Sequence, residues 1–214
     1  MRAARSDSSS SSAATASERG AAVIVALLAT VLLNAIGLGL IAFTNTEVAI
    51  AANYREASET LYAAEAAADC AVSEVLKAAS WDDVLSGLST SVFRDATLVP
   101  ALASGESLNL STLTASMQAA SDAGVQRGAD NPRWRLFLYK AMAQITRTAN
   151  SRAYAVAWVA DDATETDGNP LVDGNGIVVI RAQAVARLGH QRTIEVVVAK
   201  QALGMSILSW REIR

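Results

Sequence analysis

Between positions 161 and 175 the chain reads DDATETDGNPLVDGN, which gathers Asp161, Asp162, Glu165, Asp167, Asn169, Asp173 and Asn175 into one short stretch. Calcium takes about 6 to 8 oxygen ligands, supplied mainly by carboxylates, side-chain amides and backbone carbonyls. Carboxylates crowded this closely repel one another, and a bound cation would relieve the repulsion while ordering the loop. Asp161, Asp162, Asp167 and Asp173 are therefore candidate calcium ligands. The spacing does not match an EF-hand loop, and a solvated acidic turn has the same composition.

Other chemistry has little to work with. The single histidine, His190, falls in an expected hairpin turn. A serine–histidine–aspartate arrangement needs a buried, oriented imidazole, and a turn tip does not provide one. One cysteine, Cys70, and one histidine cannot supply the usual ligand set of a zinc site. No glycine-rich phosphate loop occurs. Arg133, Trp134, Arg135, Tyr139 and Lys140 form a small basic and aromatic cluster that could stack on single-stranded nucleic acid. A strand with alternating outward arginines has the same spelling. With 18 basic against 21 acidic residues there is no strong positive field to gather a polyanion, so no nucleic-acid partner is expected. The chain does not read as an enzyme.

The elements that carry these residues begin with an apolar run. From Ala21 to Phe43 the chain carries no charge, directly after Glu18, Arg19 and Gly20. A helix needs about 20 apolar residues to cross a bilayer core, whereas the apolar core of a cleaved secretory signal spans about 7 to 15. The run is long enough to stay as an anchor. Arg2, Arg5 and Arg19 precede it, and positive residues favour the cytoplasmic side. The remainder is expected outside the cytoplasm, in a periplasm or its equivalent, anchored by one span. The lone Cys70 cannot form an internal disulfide. The serine-rich segment 1–16 reads as too polar to fold.

Beyond the run, Tyr54, Ala57, Leu61, Ala64, Ala68, Val72 and Val75 recur at steps of three or four, one face of a helix. Arg55, Glu56, Glu59, Glu74 and Lys77 fall on the opposite side. No proline interrupts positions 21 to 79, so one unbroken helix over that whole span is possible. Residues 80–150 read as mixed helix and loop, with a helix over STLTASMQAASDAG capped by Asn109 or Ser111 and stopped at Gly124. RWRLFLYKA and RAYAVAWVA read as strands. IVVIRAQAVARLGHQRTIEVVVAKQ reads as a hairpin turning at LGHQ, followed by a short tail, GMSILSWREIR. The expected fold is α+β: a long N-terminal helix with one face laid on an antiparallel sheet. The divisions are 1–20, 21–43, 44–79, 80–150 and 151–214.

The residues ERGAAVIVALL, followed by NTEVAIAANYREASETLYAAEAAADCAV, resemble the start of a type IV pilin, in particular a PilX-type minor pilin. RTIEVVVAKQ and SWREI are similar to the end of that family. The resemblance implies that residues 1–20 are a leader which a prepilin peptidase removes between Gly20 and Ala21, with methylation of the new amine. It implies a helix that serves first as membrane anchor and then as filament core. The implied partners are membrane lipid, other major and minor pilins, and an inner-membrane assembly platform. Two positions depart from the family pattern. Ala21 stands where major pilins carry phenylalanine, and Val25, fifth in the mature chain, where they carry glutamate. An uncleaved single-span protein with an outer sensing or ligand-binding domain would also explain the anchor. It would not explain why the apolar run starts directly after Arg19–Gly20.

Overall fold

The computed structural model describes residues 10–124, 128–147, 151–201 and 204–213. Arg2 and Arg5 lie outside these residues. The chain forms two compact units, Met1–Asn53 and Tyr54–Arg214.

Helix α1 runs from Ser10 to Lys77. It starts inside the serine-rich segment, where the sequence suggested no structure. Residues 10–19 contain neither glycine nor proline, and their alanine, glutamate and arginine favour helix. Within the first unit, the apolar side chains from Val23 to Ile50 are exposed around the whole helix, Val25 at 65% and Leu38 at 69%. No residue of its most apolar stretch is buried. Polar side chains in this stretch turn inward on the helix. Thr30, Thr44 and Thr46 donate their hydroxyls to the carbonyls of Leu27, Leu40 and Ala42. A spanning helix needs its polar groups satisfied internally, because lipid offers no partners.

In the second unit α1 packs on a five-stranded sheet. Contact begins later than the periodicity suggests: Tyr54 is 76% exposed, and the buried face starts at Thr60. It consists of two adjacent rows, Thr60, Ala63, Ala64, Ala67, Ala68, Ala71, Val72 and Val75, all at 8% exposure or less. Alanine on this face lets the helix axis approach the sheet closely. Glu74, expected on the outer side, is instead drawn in. It accepts the Val92 N–H (3.2 Å), the Ser91 hydroxyl (3.4 Å) and the Lys77 ammonium (3.1 Å). Burial opposes its charge, but those hydrogen bonds outweigh it and hold the carboxyl below its usual range.

The strands are β1 (Arg135–Ala141), β2 (Tyr154–Asp161), β3 (Ile177–Val185), β4 (Gln191–Gln201) and β5 (Gly204–Ile213). They pair antiparallel in chain order. β5 replaces the expected short tail. Its charges, which disguise it in the sequence, are paired on its own sheet: Arg211 with Glu195 and Glu212 with Arg192. The β3–β4 connection is the expected turn, a single helical turn Arg187–Gly189 closed by Ala186 N–H on the His190 carbonyl (2.8 Å).

The sheet is covered on both faces. Ala155, Ala157, Val159, Ile180, Ala182 and Val196 meet the α1 side, with helix α2 (Trp81–Ser86) at its end. Tyr154, Val156, Trp158 and Ala160 meet helix α3 (Leu110–Ala123) through Leu110, Leu113 and Met117. Asn109 is the α3 cap, accepting the Thr112 N–H (3.0 Å), and the Trp158 indole N–H donates to Thr114 (2.8 Å). Burial on both faces explains why every residue of β2 is buried. A short helix α4 (Met142–Thr146) joins β1 to β2. The outer edge of β1 is taken by the extended segment 91–95, with Tyr139 N–H donating to the Phe93 carbonyl and Asp95 N–H to the Tyr139 carbonyl (3.0 Å each).

Candidate metal centre

β2 ends on Asp161, which the core buries to 2% exposure. The chain then loops through residues 162–176 and returns as β3, so both ends of the acidic stretch are fixed by neighbouring strands. Within the loop, carboxylates accept backbone N–H groups. Asp162 takes the Thr164 N–H (2.8 Å) and hydroxyl and the Asn175 amide (2.7 Å). Glu165 reaches across with Oε1 to the N–H groups of Gly174 (2.9 Å) and Asn175 (2.5 Å). Asp173 Oδ1 takes the N–H groups of Gly176 (2.7 Å) and Ile177 (3.0 Å), and its own N–H donates to Asp82 of α2 (2.8 Å). Gly176, at φ 77°, makes the turn into β3 that a side chain would resist.

These bonds bring one ligand oxygen each from Asp161, Glu165 and Asp173 within 4.8 Å of one another. With metal–oxygen bonds of about 2.3–2.6 Å, oxygens on opposite sides of one calcium ion stand roughly 5 Å apart. The cluster therefore has the dimensions of half a calcium shell. Its electrostatics are strained. Burial, then the charge of Glu165, push the Asp161 carboxyl up to about 7, with Asp162 and Asp173 adding to the rise and the Asp162 N–H opposing it. Burial also raises Asp173. The N–H groups of Gly176 and Ile177 oppose that rise, as does Lys200, while Asp82 adds to it. Glu165 Oε2 is closed from water and has no hydrogen-bond partner.

Of the four aspartates singled out from the sequence, Asp161 and Asp173 enter the cluster. Asp162 does not, because its oxygens hold the turn. Asp167 does not either: it is exposed and accepts the Asn169 N–H (2.9 Å). Glu165 takes their place, and Asp82, far away in sequence, comes alongside.

Elsewhere the candidate chemistry is absorbed into the fold. Trp134 and Tyr139 are buried, Arg135 donates to the Leu85 carbonyl (3.1 Å), and Lys140 pairs with Asp95 (3.3 Å). Of the expected outward strand arginines only Arg135 lies on β1; Arg133 is exposed but precedes the strand. The aromatic faces are covered by Arg94 and Arg181 and are not free for bases. Cys70 is half-buried, and burial, followed by Glu74, pushes its thiol up to about 11 against the opposing Lys77, so it is a poor nucleophile. Gly20, Ala21 and Val25 are all exposed on α1.

No family model, curated protein or solved structure matches this chain.

Proposed function

We propose that the protein is a minor pilin or pseudopilin: a non-enzymatic subunit, made as a precursor, held in the inner membrane by α1, and incorporated into a type IV pilus-like filament that it primes or caps. The observation that carries this reading is α1 itself. It exposes every large apolar side chain from Val23 to Phe43, too many to leave in water, and continues without a break into the helix that forms one layer of the folded unit. A sensing domain on a simple anchor would need no such continuity. The partners are a prepilin peptidase acting between Gly20 and Ala21, other major and minor pilins, the inner-membrane assembly platform, and lipid before assembly. Nucleic acid is not among them. Surface filaments sheared from cells with an active prepilin peptidase should contain the protein. Its confinement to membranes in such cells, with filaments present, would favour the uncleaved alternative.

Val25 sharpens the proposal. A carboxylate within a bilayer is costly unless paired. In major pilins the glutamate at this place is thought to pair with the free amine of a neighbour already in the filament. Val25 has nothing to neutralise, so this subunit needs no predecessor, while its own amine at Ala21 can still receive the next subunit. It therefore starts the filament and sits at or near the tip. Immunogold label should concentrate at filament ends, and Val25→Glu should disturb initiation or spread label along the shaft. Even labelling of wild-type filaments would contradict the tip position.

The carboxylate cluster is read as a calcium site, favoured by the unpartnered Glu165 Oε2 beside the buried Asp161. The pH dependence has a definite sign. The Asp161 carboxyl is raised in the folded state, so its contribution to stability is present below its unfolded value of about 4 and is lost as pH rises through about 7. Calcium binds the ionised form, so its effect grows over the same window. Melts of the full chain in detergent should fall with rising pH in chelator. The calcium-induced rise should be larger at about pH 8 than at about pH 5, and magnesium should not reproduce it. Identical melts in calcium and chelator at about pH 8 would leave only a solvated acidic turn.

A further inference from the structure

The uncharged run of α1 carries one carboxamide, Asn34. The hydroxyls of Thr30, Thr44 and Thr46 are bound to carbonyls of their own helix. Asn34 is the exception to that pattern. Its side chain is exposed and makes no hydrogen bond among the described residues. Its place is deep. Asn34 stands thirteen residues after Ala21 and nine before Phe43. At 1.5 Å per residue it lies roughly 13 Å from the nearer end of the run. A long lysine or arginine could reach the interface from there, but an asparagine is too short.

An unsatisfied carboxamide in hydrocarbon is costly, and lipid supplies no partner. A neighbouring helix can. Asn34 offers an acceptor oxygen and two N–H donors, so it is its own complement. Two copies can each give an N–H to the other's oxygen. That exchange needs both amides at one depth and on facing sides. Every copy of this chain meets the first condition, because each inserts with the same end first. The residues on the Asn34 side permit the second. Ala22, Ala26 and Thr30 precede it at steps of four and Gly37 follows at three, all small enough for helix backbones to approach. A helix of another protein would need a polar side chain matched in depth, whereas a second copy brings one by construction.

We propose that two copies of this chain pair in the membrane as parallel helices, held by reciprocal hydrogen bonds between their Asn34 carboxamides. The inference rests on α1 spanning a bilayer, and not on the calcium cluster or the filament. In a helical filament successive copies are displaced along the axis, which separates the two amides. The pair is therefore a membrane form that parts before a subunit enters a filament. Sedimentation equilibrium of the full chain in density-matched zwitterionic micelles tests the pairing, and flotation with phosphatidylcholine vesicles after a carbonate wash tests the span. The wild type should float with the vesicles and sediment as a monomer–dimer equilibrium. Asn34→Leu should float equally and raise the dimer dissociation constant about tenfold. Asn34→Gln keeps a carboxamide at the same depth and should stay within about threefold of the wild type. Asn45→Leu removes an amide beyond the apolar run and should change nothing. Loss of flotation would overturn the anchor and the pairing with it. With flotation intact, three results overturn the pairing alone: a wild-type monomer at every concentration, an Asn34→Leu dimer as tight as the wild type, or Asn34→Gln or Asn45→Leu weakening the dimer as much as Asn34→Leu.

Discussion

Ala67→Asp should prevent the second unit from folding. Ala67 is fully buried in the middle of the face that α1 lays on the sheet, among Ala63, Ala64, Ala71 and the strand residues of that core. A carboxylate there meets neither water nor a cation. An uncompensated buried charge costs several kcal/mol, a large part of the roughly 5–15 kcal/mol that holds a domain together. Nor can the larger side chain be accommodated by a small shift, because alanine on this face sets the distance between helix and sheet. Ser73→Asp, on an exposed position of the same helix, should be harmless. Near-ultraviolet dichroism and tryptophan fluorescence are the suitable readouts, since Trp158 is completely buried and the apolar half of α1 has no tryptophan to mask the loss. A cooperative melt of Ala67→Asp at the wild-type temperature would contradict the close packing of α1.

The second large effect concerns Gly20. The fold does not require a glycine there. Gly20 lies inside α1, and a Cβ at this position would meet nothing within 4 Å. Glycine in a helix interior is about 1 kcal/mol worse than alanine, so a substitution should if anything strengthen the helix. Under the filament proposal the glycine is there for the peptidase, which must bring the backbone close. Gly20→Arg should therefore leave the melting of the second unit unchanged, while the precursor accumulates in the membrane and filament incorporation drops to background. Normal incorporation of Gly20→Arg would remove the leader from the proposal.

The spelling of the chain conveys the large elements because their periodicities are clean. The apolar run, the amphipathic continuation and the β3–β4 hairpin each repeat with the step their structure demands. β5 is hidden because Ser206, Ser209, Arg211 and Glu212 break its apolar alternation, and the partners of its charges, Arg192 and Glu195, lie on another strand. The second covering layer is also hard to see, although YAVAWVA, with no polar alternation, carries a trace of a strand buried on both faces. At the carboxylate cluster, composition points to the right loop but not to the right oxygens. Whether Asp162 or Glu165 turns inward depends on which backbone N–H groups the loop offers, and Asp82 arrives only when α2 packs against the loop. The starting point of the α1 contact, at Thr60 and not Tyr54, depends on where the sheet ends and has no local signal.

A filament subunit of the proposed kind requires α1 to be cut and retained. Intact mass spectrometry of the protein extracted from membranes of its native cells, with an active prepilin peptidase present, tests this directly. The predicted result is a chain that begins at Ala21 with one added methyl group. A chain that still carries the residues before Gly20 would contradict it.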